Sequence, residues 1–105
     1  MIRSVYLASP YSLGDTAVNV KNQIDTAAEL RQRGFIPFWP LHYHFEHMAH
    51  PQEYHVWLNA DLYWITKCDC VLRLPGESSG ADKEVEFATR EGIPVYYSIN
   101  EIPTI

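Results

Sequence analysis

"CDCVLRLPGESSGADKEVEFATREGIPVYYS" occupies residues 68–98. It begins with a short apolar run, "CDCVLRL", of strand length and composition. The loop "PGESSG" follows, rich in Pro, Gly and Ser. From about Ser79 to Glu91 the spacing turns helical, and Gly92 supplies a stop. A second apolar run, "IPVYYS" at 93–98, closes the unit. Strand, loop, helix and strand in so few residues predict a βαβ unit, whose two strands lie parallel.

The rest of the chain repeats this alternation. Residues 2–8, "IRSVYLA", predict a strand, and "PYSLGD" a loop. A helix is expected from Asp15 or Thr16, either of which can cap it, to Arg33, with Gly34 ending it. Its apolar spacing points to a face of Ala17, Val20, Ile24, Ala27 and Ala28. "FIPFW" at 35–39 reads as a short edge or irregular strand because of its Pro. The segment "PLHYHFEHMAHPQEYH" has no clear period and is expected as a long loop or broken helical turn. Pro51 suits the first turn of a helix running to about Lys67. The order β-α-β-α-β-α-β predicts an α/β, three-layer, Rossmann/flavodoxin-like fold with a mostly parallel sheet of four to five strands. One domain spans 1–105. With strand order 2-1-3-4, the binding crevice falls between strands one and three. The loops "SPYSLG" (9–14) and "PGESSG" (75–80) form its walls.

Two acids sit where such helices bury apolar side chains. At about 100° per residue, Ala81, Val85 and Ala88 share an arc, with Phe87 at its margin and Glu84 inside it; Glu86 points away. Asp61 likewise falls within the face of Trp57, Trp64, Ile65 and Cys68. A carboxylate there is costly unless it is bonded, paired or protonated. The plainer readings are a helix-dipole acid for Glu84 and a carboxylate bonded to loop backbone for Asp61. Two inward acids on helices flanking one strand point instead to a pair, the arrangement that divides nucleophile and acid roles. Tyr6, near the end of the first strand, can bring a phenol to the same crevice or simply fill the core.

Composition limits the alternatives. Hydrophobic residues make up 47% and charged residues 20%, an ordinary globular balance, and no apolar run or N-terminal segment reads as a membrane span or signal. A formal charge of −5 without a Lys/Arg stripe argues against duplex nucleic acid and membranes as partners. Cys68 and Cys70 suit neither a disulfide nor, alone, a zinc site, and read as reduced thiols in a cytoplasmic protein. No G-K-[ST] follows the Ser-rich loop, and "SPYSLGD" is not a dinucleotide fingerprint. His42, His44, His47, His50 and His55 lack the H-E-x-x-H pattern of a zinc helix. No metal and no cofactor is therefore expected. Phe38, Trp39, His42 and Tyr43 suit base stacking or substrate contact.

These residues together resemble the nucleoside 2-deoxyribosyltransferase superfamily, including its nucleoside 5′-monophosphate N-glycosidases. The likeness lies in "VYLASPYS" (5–12), "NADLYWITKCDCVL" (59–72) and "SSGADKEVEFA" (78–88). It implies Glu84 as nucleophile, Asp61 as the acid assisting the base, and Tyr6 as the phenol beside the nucleophile. Ser9, Tyr11, Ser12, Ser78, Ser79 and Gly80, with Trp39 and His42, would hold the substrate. The implied activity is cleavage of an N-glycosidic bond in a (deoxy)nucleoside or nucleoside 5′-monophosphate, and the serines tilt the expectation towards the monophosphate. A homo-oligomer, by default a dimer, is expected. The rival readings are a non-catalytic module binding a nucleotide or sugar phosphate, and a metal-binding domain built on the His-rich segment.

Overall fold

The computed structural model describes residues 1–104. Its elements run β1 (Ser4–Ala8), α1 (Thr16–Gln32), β2 (Ile36–Phe38), a 3₁₀ turn (Pro40–Tyr43), α2 (His44–Ala49), α3 (Tyr54–Ile65), β3 (Cys70–Arg73), α4 (Ser79–Arg90), β4 (Val95–Tyr96) and a second 3₁₀ turn (Ile99–Glu101). The four strands are all parallel, in the order β2-β1-β3-β4. This is the small Rossmann/flavodoxin-like α/β architecture that the alternation predicts. No helix among the described residues is long and apolar enough to cross a membrane.

Strand alternation sorts the core into two layers. Val5 and Leu7 of β1, with Cys70 and Leu72 of β3, face α1 and pack with Ala27, Leu30, Phe35 and Ile102. Tyr6, Ala8 and Val71 face the other way and pack with Ile65 of α3 and Ala81 and Ala88 of α4. Tyr6 is therefore committed by parity to the side on which α3 and α4 lie. β1 and β3 are the two central strands, so the first carries a neighbour on each edge and all four residues Val5–Ala8 are buried.

Several local expectations change. Asp15 caps α1 through Val18 N–H, as its position suggests. The buried face, however, is Gln23, Ala27 and Leu30, while Ile24 is 44% exposed and Ala17 and Ala28 lie outside. An apolar count cannot choose this face because Gln23, a polar residue, occupies its centre. Pro51 lies three residues before α3, which starts at Tyr54 behind Glu53. The His-rich segment is a 3₁₀ turn joined to a six-residue helix, and no residue of α2 is buried. The fourth strand shrinks to two residues, Val95 and Tyr96, paired with Val71 and Leu72 of β3.

Cys70 is buried and Cys68 half-buried, and neither forms a disulfide. Burial pushes the Cys70 thiol up to about 12 and that of Cys68 to about 11. Both are protonated at neutral pH and make poor nucleophiles.

Candidate active site

The crevice opens at the C-terminal ends of β1 and β3, where connections leave the sheet in opposite directions. A cavity of about 590 Å³ lies there, a size usual for small-molecule sites. Ser9, Tyr11, Ser12 and Leu13 after β1 form one wall, and Ser78–Ala81 at the start of α4 another. Tyr54, Trp57, Leu58 and Asp61 form a third, recurring along one face of α3. Tyr43, His44 and His47, from the 3₁₀ turn and α2, close the remaining side.

Glu84 stands at the bottom of the cavity, 6% exposed, on the inward face of α4 with Ala81 and Ala88. Glu86, two residues on, is exposed. The Tyr6 hydroxyl donates to Glu84 Oε2 at 2.6 Å. Tyr6 is thus both core and site: its ring is fully buried and stacks on Phe38, which stacks in turn on Trp64. Asp61 faces the same group from α3. Its Oδ1 is buried and has no hydrogen-bond partner, so a bond to loop backbone does not explain it. The two inward acids do meet, with a phenol beside them.

Electrostatics follow from that meeting. Burial is the largest cause raising the Glu84 carboxyl well above its ordinary range, and the neighbouring Asp61 charge adds to it. The Tyr6 hydrogen bond and the charge of Arg73 act in the opposite sense. Burial likewise pushes Asp61 up to about 6, against the polar side chains of Glu84 and Tyr6 close by and the charge of nearby His42. The Tyr6 phenol is raised well above its ordinary value, first by burial and then by the two acids, so it remains a donor. Like charges this close cannot both ionise easily, so the pair favours holding one proton between them.

The supports of the site are less visible in sequence. Gln23 is fully buried and lines the cavity. Its Nε2 donates to Ser9 Oγ at 2.7 Å, and its Oε1 accepts from Leu41 N–H at 2.8 Å. One side chain thereby fastens the loop after β1 to the 3₁₀ turn after β2. Arg73, 8% exposed, donates to the Leu74 and Gly76 carbonyls and to Asp82 Oδ1, bracing the loop that leads into α4. Neither residue stood out in the sequence; a Gln among apolar helix positions was the available signal.

The expected substrate residues divide. Ser9, Tyr11, Ser12, Ser78, Ser79 and Gly80 all line the cavity. Ser78 also caps α4, its Oγ accepting from Ala81 N–H. Trp39 and His42 do not line it. Trp39 packs against the α1 side of the sheet, and His42 is exposed, its Nδ1 2.9 Å from the Trp39 carbonyl. Alternation along β2 sends Phe38 to the site's layer and Trp39 to the opposite one. Among the described residues no three His, Cys, Asp or Glu side chains cluster closely enough to hold a metal ion.

Residues 3–98 match the family model described as a domain of unknown function, DUF7768. The chain belongs to that family. No curated protein matches it. Among solved structures, the 2-deoxyribosyltransferase from the psychrotolerant bacterium Bacillus psychrosaccharolyticus is similar at a TM-score of 0.65 and 23% identity, over 88% of this chain and 69% of that one. The likeness shows a shared fold.

Proposed function

We propose that the protein cleaves the N-glycosidic bond of a nucleoside or nucleoside 5′-monophosphate, releasing or exchanging the base through a glycosyl-enzyme ester on Glu84. The observation that carries this reading is the Tyr6–Glu84 hydrogen bond at 2.6 Å, facing an Asp61 whose Oδ1 has no partner. Tyr6 orients one oxygen of Glu84 and leaves the other to attack C1′. As the C1′–N bond breaks, its electron pair passes to the base nitrogen, and the one proton held by the acid pair moves from Glu84 to Asp61, which gives it to the base. The cationic character growing on the sugar ring draws the single negative charge of the acid pair onto Glu84, as in retaining glycosidases. Water then attacks C1′, Asp61 takes up its proton, and Glu84 leaves as carboxylate; a second base in place of water gives exchange.

The wall also bears on the sugar end. Gln23 Nε2 and Ala81 N–H are both donors, so Ser9 Oγ and Ser78 Oγ act as acceptors towards the protein and retain their O–H protons to give. Among the described residues the lining contains no Lys or Arg. Hydroxyl donors without a cation suit a neutral 5′-hydroxyl better than a phosphate dianion, so the nucleoside is the favoured substrate and the monophosphate the second.

The test uses 2′-deoxy-2′-fluoroarabinosyl nucleosides and their monophosphates, whose fluorine slows hydrolysis of the ester. Mass spectrometry should find the sugar on the peptide bearing Glu84. Glu84→Ala should lose base release by about 10⁴-fold or more while still folding. Base release at the parent rate by that variant refutes the nucleophile; absence of any free base with the parent protein favours a module that only binds.

A further inference from the structure

His47 belongs to the His-rich segment, for which the reaction above has no use. His47 lines the cavity. Two groups converge on its Nδ1: Trp57 Nε1–H at 2.8 Å and the Gln52 backbone N–H at 3.4 Å. An indole N–H and a peptide N–H can only donate. Nδ1 must therefore present its lone pair, and neutral His47 carries its proton on Nε2. That Nε2–H has no hydrogen-bond partner among the described residues. The ring is also fixed by its edge-on contact with Trp57, at 5.8 Å between centroids.

Position gives this donor a meaning. Trp57 and Asp61 are four residues apart on α3, one turn on the same face, and both line the cavity. His47, bonded to the Trp57 indole, thus shares the cavity with the acid that serves the base, on the side of the preceding turn of α3. Tyr43 packs its ring against Trp57 at 5.1 Å and continues the aromatic wall. A flat, polar heterocycle suits a cavity that combines such an aromatic wall with these two polar groups.

We propose that His47 determines which base is accepted: its Nε2–H donates to an acceptor, a carbonyl oxygen or an unprotonated ring nitrogen, on the edge of the base remote from Asp61. Trp57, through Nδ1, is the positioning residue that holds the imidazole in the donating tautomer. The inference rests on the N-glycosidase reading of the site. Electron density flows into the base as the glycosidic bond breaks, so a donor at that edge strengthens in the transition state and acts on kcat/KM.

The test is base release from nucleosides paired with analogues lacking one acceptor: 2′-deoxyadenosine with its 7-deaza and 3-deaza forms, and 2′-deoxyuridine with the analogue lacking O4. The parent protein should lose about tenfold in kcat/KM for one analogue. His47→Phe should lose a similar factor on the natural nucleoside and show no further loss on that analogue. His47→Gln, which keeps an N–H donor, should restore part of the preference, and Trp57→Phe should weaken it with the ring still in place. Comparing ratios between variants cancels the intrinsic reactivity of each nucleoside. If His47→Phe retains the parent ratio for every pair, the inference is overturned and the glycosidase reading stands. If the parent protein releases no base from any nucleoside or its 5′-monophosphate, both fall.

Discussion

Replacing Asp61 with Asn should make the protein more stable at neutral pH while removing its activity. Asp61 is pushed from 3.8 to about 6 in the folded protein, chiefly by burial. The folded state therefore binds this proton more tightly than the unfolded chain does. Stability from the protonated acid is full below the unfolded value and is lost as pH rises through about 6, so above neutrality the buried charge is a standing penalty. At about 1.4 kcal/mol per pH unit, the difference between 3.8 and about 6 corresponds to about 3 kcal/mol. Removing the Asp61 charge also relieves one cause of the raised Glu84 carboxyl, which acts in the same direction. The assay is urea unfolding of parent and Asp61→Asn at several values between pH 5 and 8. Asp69 has the opposite sign: its carboxylate accepts from Arg3 and Ser4 N–H, and its value is lowered, so its contribution is lost only as pH falls below this window. The variant should exceed the parent by about 3 kcal/mol near pH 7.5, equivalent to a Tm gain on the order of 10 °C, with the gap narrowing towards pH 5. A variant no more stable than the parent at pH 7.5, or a gap that does not narrow with acid, would refute the claim that burial confines this acid.

Two further changes probe the frame. Gly76 holds φ +116°, and a Cβ there would lie 2.8 Å from Pro10 Cγ; Gly76→Ala should destabilise by about 1–3 kcal/mol in the same unfolding assay and push apart the two loops that wall the cavity. Gln23→Leu keeps the volume but strands Leu41 N–H and the Ser9 hydroxyl, and should cost about 1–3 kcal/mol and raise KM more than it lowers kcat. A KM unchanged in Gln23→Leu would show that the cavity wall does not depend on that tie.

The likeness in fold to a 2-deoxyribosyltransferase from Bacillus psychrosaccharolyticus is carried by backbone topology at 23% identity. The specific case for chemistry lies in this chain's own side chains. Tyr6, Asp61 and Glu84 come from three different elements, β1, α3 and α4; the two acids break the apolar pattern of their helices in the direction of the same cavity, and buried Tyr6 meets Glu84 from the sheet.

Sequence alone determined the alternation of strands and helices, and hence the parallel sheet, because periodicity and Gly/Pro punctuation act locally. It also marked Glu84 and Asp61, because an acid on an apolar face is anomalous whatever surrounds it. Only the tertiary structure decided that Gln23 and Arg73 are buried supports, that Trp39 turns away while Phe38 turns in, and that His47 offers Nε2–H. Those outcomes depend on the strand parity and on donors such as Trp57 and Ala81 supplied from elsewhere in the fold, and a polar side chain can be buried only where such partners meet it.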